Sequence, residues 1–218
     1  MEKVDALIAA YNEEKTIKSV TDVLIKTPEI NKIIVVDDGS ADKTYQVVSK
    51  IKSNKVIILK MPKNSGKSQA VAFGLTKVTT NNVFLCDADL VKLTCKICSS
   101  IIKPVLQDKL DMSTGIRTIG VTTPYLSQFL PSISGERCLN TNILKQCTKS
   151  KYFYNYGMET VINFYCIINK LKTVKRVFNY GHINHLSKDG SLFGFLLYLK
   201  QTLLILKIYF IFSIKGWH

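Results

Sequence analysis

The sequence predicts an α/β fold, a three-layer α/β/α sandwich around a mostly parallel central sheet. Three observations carry that reading. Short apolar runs rich in β-branched residues recur at 4–9, 32–36, 56–59 and 83–86, unbroken as strands covered on both faces should be. Between them lie segments with apolar residues at helical spacing, and such alternation implies parallel strands joined by right-handed crossovers. Each of the first two runs and the fourth also ends in acidic or polar residues, at the strand ends where sheets of this kind bind ligands.

In order, the first run leads to Tyr11-Asn12-Glu13-Glu14, where Asn12 is expected to cap a helix and the glutamates to favour its positive end. That helix should end near Lys26, because Thr27 precedes Pro28 and the residue before proline is pushed out of helical space. The strand Lys32-Ile33-Ile34-Val35-Val36 ends in Asp37-Asp38-Gly39-Ser40, a tight turn in which Ser40 or Asp42 can cap the next helix. After Val56-Ile57-Ile58-Leu59 comes a loop through Gly66, then a helix bearing Ala70, Val71, Phe73 and Leu75. The fourth strand, Val83-Phe84-Leu85-Cys86, delivers Asp87-Ala88-Asp89. Beyond it the pattern predicts a helix over 94–106, a strand near 111–116, a short element after Ser134-Gly135-Glu136-Arg137, a helix opened by Gly157-Met158-Glu159-Thr160, and a strand over 174–180 running into Gly181-His182.

The length, 218 residues with 46% hydrophobic and 21% charged, suits one sizeable core. A net charge of +14 invites a nucleic-acid reading, but only Arg117, Arg137 and Arg176 among thirty basic residues are arginine, and no arginine-rich stripe supports it. Nucleic acid is therefore not expected as a partner. The six cysteines sit in apolar patterns, and Cys95-Lys96-Ile97-Cys98 lacks the second pair of a zinc site, so reduced core thiols are expected. Acids within the first five residues argue against a secretory signal. Residues 192–214 are strongly apolar yet interrupted by Lys200, Gln201 and Lys207, whereas a spanning helix wants about 20 apolar residues with few charges. A helix lying in the membrane interface fits that pattern best, with packing on the domain or a membrane span as the alternatives. The expected organisation is thus a domain over 1–190, with a change of pattern at about 92, and an apolar tail over 191–218. Its expected location is cytoplasmic, peripheral on the inner face of the membrane.

Asp87 and Asp89 would share a face if the strand stayed extended, and either could hold a divalent ion on hard oxygens. The string Asn64-Ser65-Gly66-Lys67-Ser68 tempts one toward a phosphate-binding P-loop, but that pattern needs a glycine at position 61, which is Met61.

Three motifs in this order and spacing, Ala9-Ala10-Tyr11-Asn12-Glu13-Glu14, Val35-Val36-Asp37-Asp38-Gly39-Ser40-Ala41-Asp42-Lys43-Thr44 and Asp87-Ala88-Asp89, together with Asn64-Ser65-Gly66-Lys67, resemble the family 2 glycosyltransferases of the GT-A fold. The resemblance is strong over residues 3–92 and weak over 132–190. It implies a Rossmann-like GT-A sheet and a nucleotide-diphosphate sugar, UDP- or GDP-linked, held by Ala10, Tyr11, Glu13, Asp38, Gly39, Lys67, Asp87 and Ala88. Tyr11 can stack on a pyrimidine, a contact of about 1–3 kcal/mol by analogy with base stacking, and Asp38 can accept the imide hydrogen. Asp37 is either structural or part of that pocket, and Lys67 either faces the pyrophosphate or is a surface lysine.

The resemblance further implies a nucleotide-binding half over 1–92 and an acceptor half over 93–190, and a divalent cation, Mg2+ or Mn2+, coordinated by Asp89, with Asp87 as a second ligand or in contact with ribose or a metal-bound water, and with His185, or its competitor His182, as a third ligand. Glu159 stands where the family carries an acidic residue near the acceptor, as general base or as a charge favouring the helix N-terminus. Glu136 and Arg137 are expected near acceptor or phosphate. The activity implied is transfer of a sugar to an acceptor, lipid-linked (a polyprenyl phosphate) or a soluble sugar or sugar phosphate. A silent nucleotide-sugar-binding scaffold is the rival, and a nucleotidyltransferase is disfavoured by the loop Ala10-Tyr11-Asn12-Glu13.

Overall fold

The computed structural model describes residues 2–117, 135–154, 157–178, 181–182 and 210. Its elements are β1 (Val4–Ala10), α1 (Ile17–Lys26), β2 (Ile30–Asp37), α2 (Thr44–Ser49), β3 (Val56–Lys60), α3 (Lys67–Leu75), β4 (Asn82–Leu85) and β5 (Leu90–Val91). There follow α4 (Cys95–Leu106), β6 (Met112–Arg117), β7 (Arg137–Asn140), α5 (Thr141–Cys147), α6 (Gly157–Ile168), β8 (Thr173–Phe178) and β9 (Gly181–His182). Seven strands form one mixed sheet in the order β3-β2-β1-β4-β7-β6-β8. The β1–β4 block is parallel throughout, β7 runs antiparallel to both β4 and β6, and β8 is parallel to β6.

Side-chain alternation along the central strands explains why they read as continuous apolar runs. Ala6, Ile8, Ile33, Val35 and Phe84 face one core, shared with Val20 and Leu24 of α1, Val48 of α2 and Ile101 of α4. Their neighbours Leu7, Ile34, Val36, Val83 and Leu85 face the other, beneath Ala70 and Val71 of α3, Leu144 of α5 and Val161 of α6. Both faces are buried, so a charged residue anywhere in these runs would need a buried partner. Asp5, fully buried on β1, meets that demand by accepting from the backbone N–H groups of Thr79 (2.7 Å) and Lys32 (3.2 Å), the Thr79 hydroxyl and the Asn31 amide.

The Thr94 hydroxyl caps α4 through the Ile97 N–H, and the Asn140 carboxamide caps α5 through Asn142. The caps expected for α1 and α2 differ: Thr16 and Lys43 hold those positions, without a side-chain cap bond. Thr16, not Asn12, precedes α1, and Asn12 instead accepts from the Ala41 N–H at 2.9 Å. Its own N–H donates to the Ser40 hydroxyl. Residues predicted as separate helix caps thus tie the loops after β1 and β2 to each other. All six cysteines are free, and burial pushes Cys98 up to about 12 and Cys166 up to about 11, which keeps both thiols protonated and inert.

The register places the candidate site. Ala10 pairs with Asp37, and Leu7 with both Ile34 and Leu85, so β1, β2 and β4 end at one edge of the sheet. Among the described residues no helix is long and apolar enough to cross a membrane. The expected tail lies outside the described residues except for Phe210, which is exposed.

Candidate active site

At that edge the loops after β1, β2 and β4 and the start of α3 enclose a cleft of about 410 Å³. Of the residues expected around a nucleotide sugar, Ala10, Tyr11, Glu13, Asp38, Lys67, Asp87 and Ala88 all line it, as does Asp89. A larger depression, about 500 Å³, lies at the opposite end of the sheet beside Asn82 and Asn140, away from these carboxylates.

Tyr11 follows directly on β1 and leaves 43% of its surface open, an aromatic face available for stacking. The next residue, Asn12, has φ of +56°, which an asparagine tolerates better than most side chains. Glu13 is buried; its N–H donates to the Thr44 hydroxyl, and its carboxylate accepts from Thr16 at 2.9 Å. Asp42 accepts from the backbone N–H groups of Glu14 and Thr44. Although burial pushes its carboxyl upward, the hydrogen bonds from Thr44 and Glu14 outweigh that and hold it below the usual range.

Asp38 is 2% exposed, and its two oxygens accept from the N–H groups of Ser65 and Gly66, each at 2.8 Å. One carboxylate thereby anchors the whole approach to α3 while its remaining lone pairs border the cleft. Asp37, with no exposed surface, accepts from the Ser40 N–H through Oδ1, and its Oδ2 has no hydrogen-bond partner among the described residues. It does not line the cleft, which favours the structural alternative for this residue. Gly39 also stays out of the cleft wall, contrary to expectation. It takes φ of +70° and packs against the Lys63–Asn64 backbone so closely that any Cβ would collide, so its contribution is to the turn.

The fourth strand ends at Leu85, and a turn at Ala88 and Asp89 follows, so the two acids do not sit on one face of an extended strand. Asp87 Oδ1 instead accepts from Lys67 Nζ at 2.7 Å. The same ammonium donates to Oε1 of Glu159 at 2.8 Å, across 92 residues of sequence. Burial alone would lower the lysine's pKa, but the two carboxylates outweigh it and hold it well above the usual value. Lys67 is therefore no surface lysine: it opens α3, lines the cleft, and joins the acid after β4 to the acid of α6. Gly135 lies against the Asp87 carboxylate with no room for a side chain.

Glu136 and Arg137 do not meet the expectation of an acceptor or phosphate contact. Both are fully buried, and neither lines the cleft. Arg137 begins β7 opposite Leu85 and donates to the Asn163 side chain at 3.3 Å. Burial lowers its pKa, partly offset first by Glu159, and a guanidinium stays charged throughout. It serves as an internal countercharge beneath the site.

Among the described residues no three His, Cys, Asp or Glu side chains converge to hold a metal. The Asp87 and Asp89 oxygens are donors of the type that suit Mg2+ or Mn2+. The backbone of His182 in β9 pairs with Leu90, one residue beyond Asp89. His185 lies outside the described residues.

With this arrangement in view, the chain matches the family Glycosyl transferase family 2 over residues 5–150, well over half its length. The chain belongs to that family. Among curated relatives, an uncharacterized glycosyltransferase, YaiP, of Escherichia coli (strain K12) is 38% identical over 88 residues, 39% of this chain and 22% of that protein. The poly-beta-1,6-N-acetyl-D-glucosamine synthase of Staphylococcus aureus (strain COL) is 34% identical over 93 residues, 42% of this chain and 23% of that one. The matches thus span less than a quarter of these relatives' lengths. Glucosyl-3-phosphoglycerate synthase from Mycobacterium tuberculosis, solved with Mn2+, UDP-glucose and phosphoglyceric acid, superposes with a TM-score of 0.71 at 19% identity, covering 94% of this chain and 80% of that one. A second structure of it, with Mn2+, UDP and phosphoglyceric acid, also gives 0.71, at 20% identity over 88% and 74%. At such identity the likeness establishes the GT-A fold that the family 2 motifs led us to expect.

Proposed function

We propose that the chain is a metal-dependent glycosyltransferase that moves a sugar from a nucleotide-diphosphate donor to an acceptor. The observation that carries this reading is the cleft itself, where an open aromatic ring, Tyr11, faces the same space as the start of α3 and the Asp87 and Asp89 carboxylates. Tyr11 stacks the base and Asp38 borders it. Gly66 and Lys67 bring the α3 N-terminus and an ammonium to the diphosphate, both favourable for an anion.

Asp89, in the cleft wall, is proposed to coordinate the cation, with Asp87, whose Oδ1 accepts from Lys67, beside it, and His185 as a further ligand. When bound, the cation offsets the negative charge that grows on the departing diphosphate. The Lys67 ammonium adds a second positive charge there, and the rigid loop lock from Asp38 to Ser65 and Gly66 keeps it from having to reorganise.

For the acceptor, the apolar, lysine-interrupted stretch at 192–214 favours a lipid-linked phosphate at the cytoplasmic face of a membrane. The solved relative with bound phosphoglyceric acid favours a small soluble phosphate acceptor instead. Vesicle flotation of the full chain separates them: recovery only in the soluble fraction overturns the membrane reading. The activity is tested with UDP-glucose, UDP-N-acetylglucosamine, UDP-galactose and GDP-mannose, each with Mn2+ or Mg2+, scored for hydrolysis and for transfer to lipid extract or phosphoglycerate. Turnover of at least one donor is expected, abolished by EDTA. Nucleotide binding without any turnover would leave the silent scaffold as the correct reading.

A further inference from the structure

We propose that Glu159 is a positioning residue that acts through Lys67, holding the ammonium against Asp87 at the donor diphosphate, and is not the base that takes the acceptor's proton. This rests on the nucleotide-sugar reading of the cleft and assigns the acid of α6 within it.

Four observations lead there. Glu159 Oε1 accepts from Lys67 Nζ at 2.8 Å, nearly the same distance at which Lys67 reaches Asp87. The Glu159 side chain is only 7% exposed, against 35% for Lys67 and 16% for Asp87. Lys67 and Asp87 both line the cleft and Glu159 does not, so the lysine stands between the glutamate and the bound ligand. The backbone around Glu159 is fixed, because Met158, Val161 and Ile162 on either side are fully buried in the second core.

A general base must come within hydrogen-bond reach of the proton that it removes. The geometry gives Glu159 an ammonium in that place. Lysine has three donors on a long flexible stem, and two carboxylates that accept from it at 2.7 and 2.8 Å are what confine it to one direction. Without Glu159 the ammonium would sample several rotamers, and the donor site would lose a fixed positive charge.

The test uses the full chain, with UDP and GDP in the presence of Mn2+ as calorimetric probes. Glu159→Gln keeps a carbonyl oxygen for the Lys67 N–H but cannot take a proton. It is expected to stay within about fivefold of the wild-type nucleotide affinity and to keep at least about a tenth of donor turnover. Glu159→Ala and Lys67→Met should each weaken nucleotide binding by about tenfold or more, and the double variant should bind no worse than the weaker single one. Turnover below a tenth in Glu159→Gln with affinity retained, or losses that simply add in the double variant, would overturn the proposal. Urea unfolding of the same variants reads the Lys67–Glu159 coupling without any ligand, and its absence also overturns the proposal. No nucleotide binding by the wild type would defeat the donor reading instead, so the two failures are distinguishable.

Discussion

Lys67 Nζ lies 2.8 Å from Oε1 of Glu159, so the first residue of α3 and the first turn of α6 share one proton-donating contact beneath the cleft. Removing the lysine leaves two little-exposed carboxylates without it. Breaking a fully buried pair costs about 3–5 kcal/mol, and the 35% exposure of the lysine side chain reduces that through solvent screening. Lys67→Met should therefore lower the unfolding free energy by about 1–2 kcal/mol in urea titration. An unchanged midpoint would mean that the bridge contributes nothing to the fold.

Gly135→Ala should act on the site while sparing the core. Its methyl group would meet the Asp87 carboxylate, which must then move and leave Lys67. A displacement of about 1 Å in such a group can cost on the order of a hundredfold in rate. Donor turnover is expected to fall by about tenfold or more. A variant with full turnover would show that the Asp87 position is not critical.

Asp38→Asn replaces a carboxylate that serves two N–H groups with an amide that can serve one. Losing a hydrogen bond to a charged acceptor costs about 1.5–3 kcal/mol. Both stability and nucleotide affinity should drop, because the released loop carries Gly66 into the cleft wall. Asp5→Asn offers the contrast, being a buried carboxylate with a comparable network at the other end of β1. It should lower the unfolding midpoint and leave nucleotide affinity intact.

The tie that Asp42 makes between the loops after β1 and β2 carries a pH dependence. The Asp42 carboxyl is held below its unfolded value of about 3.9. Its contribution is therefore fully present above that pH and is lost as the pH falls through the folded value. The stability difference between the wild type and Asp42→Asn should narrow as the pH is taken from about 6 to about 3. A difference that widens toward acid would contradict the assignment.

These relationships divide by how far apart their residues lie in the chain. The parallel core was legible because unbroken runs such as Ile33-Ile34-Val35-Val36 report burial on both faces. Tyr11, Asp38, Lys67, Asp87 and Asp89 could be placed on one cleft because each follows a strand end or opens the helix after it. The antiparallel β7 was not legible, since nothing local to Arg137-Cys138-Leu139-Asn140 specifies the direction or identity of its neighbours. For the same reason Arg137, a lone arginine two residues after a glycine, suggests a phosphate contact although its strand turns it into the core. Asn12 and Ser40 looked like caps because the side chains that cap a helix also cross-link loops, and only the register of β1 with β2 decides between the two. The pairing of Lys67 with Glu159 depends on how α3 and α6 pack on a shared face, which no local pattern carries.

The central claim is that Tyr11, Lys67 and the two acids after β4 form one nucleotide-diphosphate site. Calorimetric titration of the wild type and Tyr11→Ala with UDP and GDP in Mn2+, repeated in EDTA, tests it most directly. Saturable binding of one nucleotide is expected, weakened by EDTA and weakened further by about 1–3 kcal/mol in Tyr11→Ala, the value of one lost base stack. No binding of either nucleotide at millimolar concentration, or binding that neither EDTA nor the substitution alters, would contradict it.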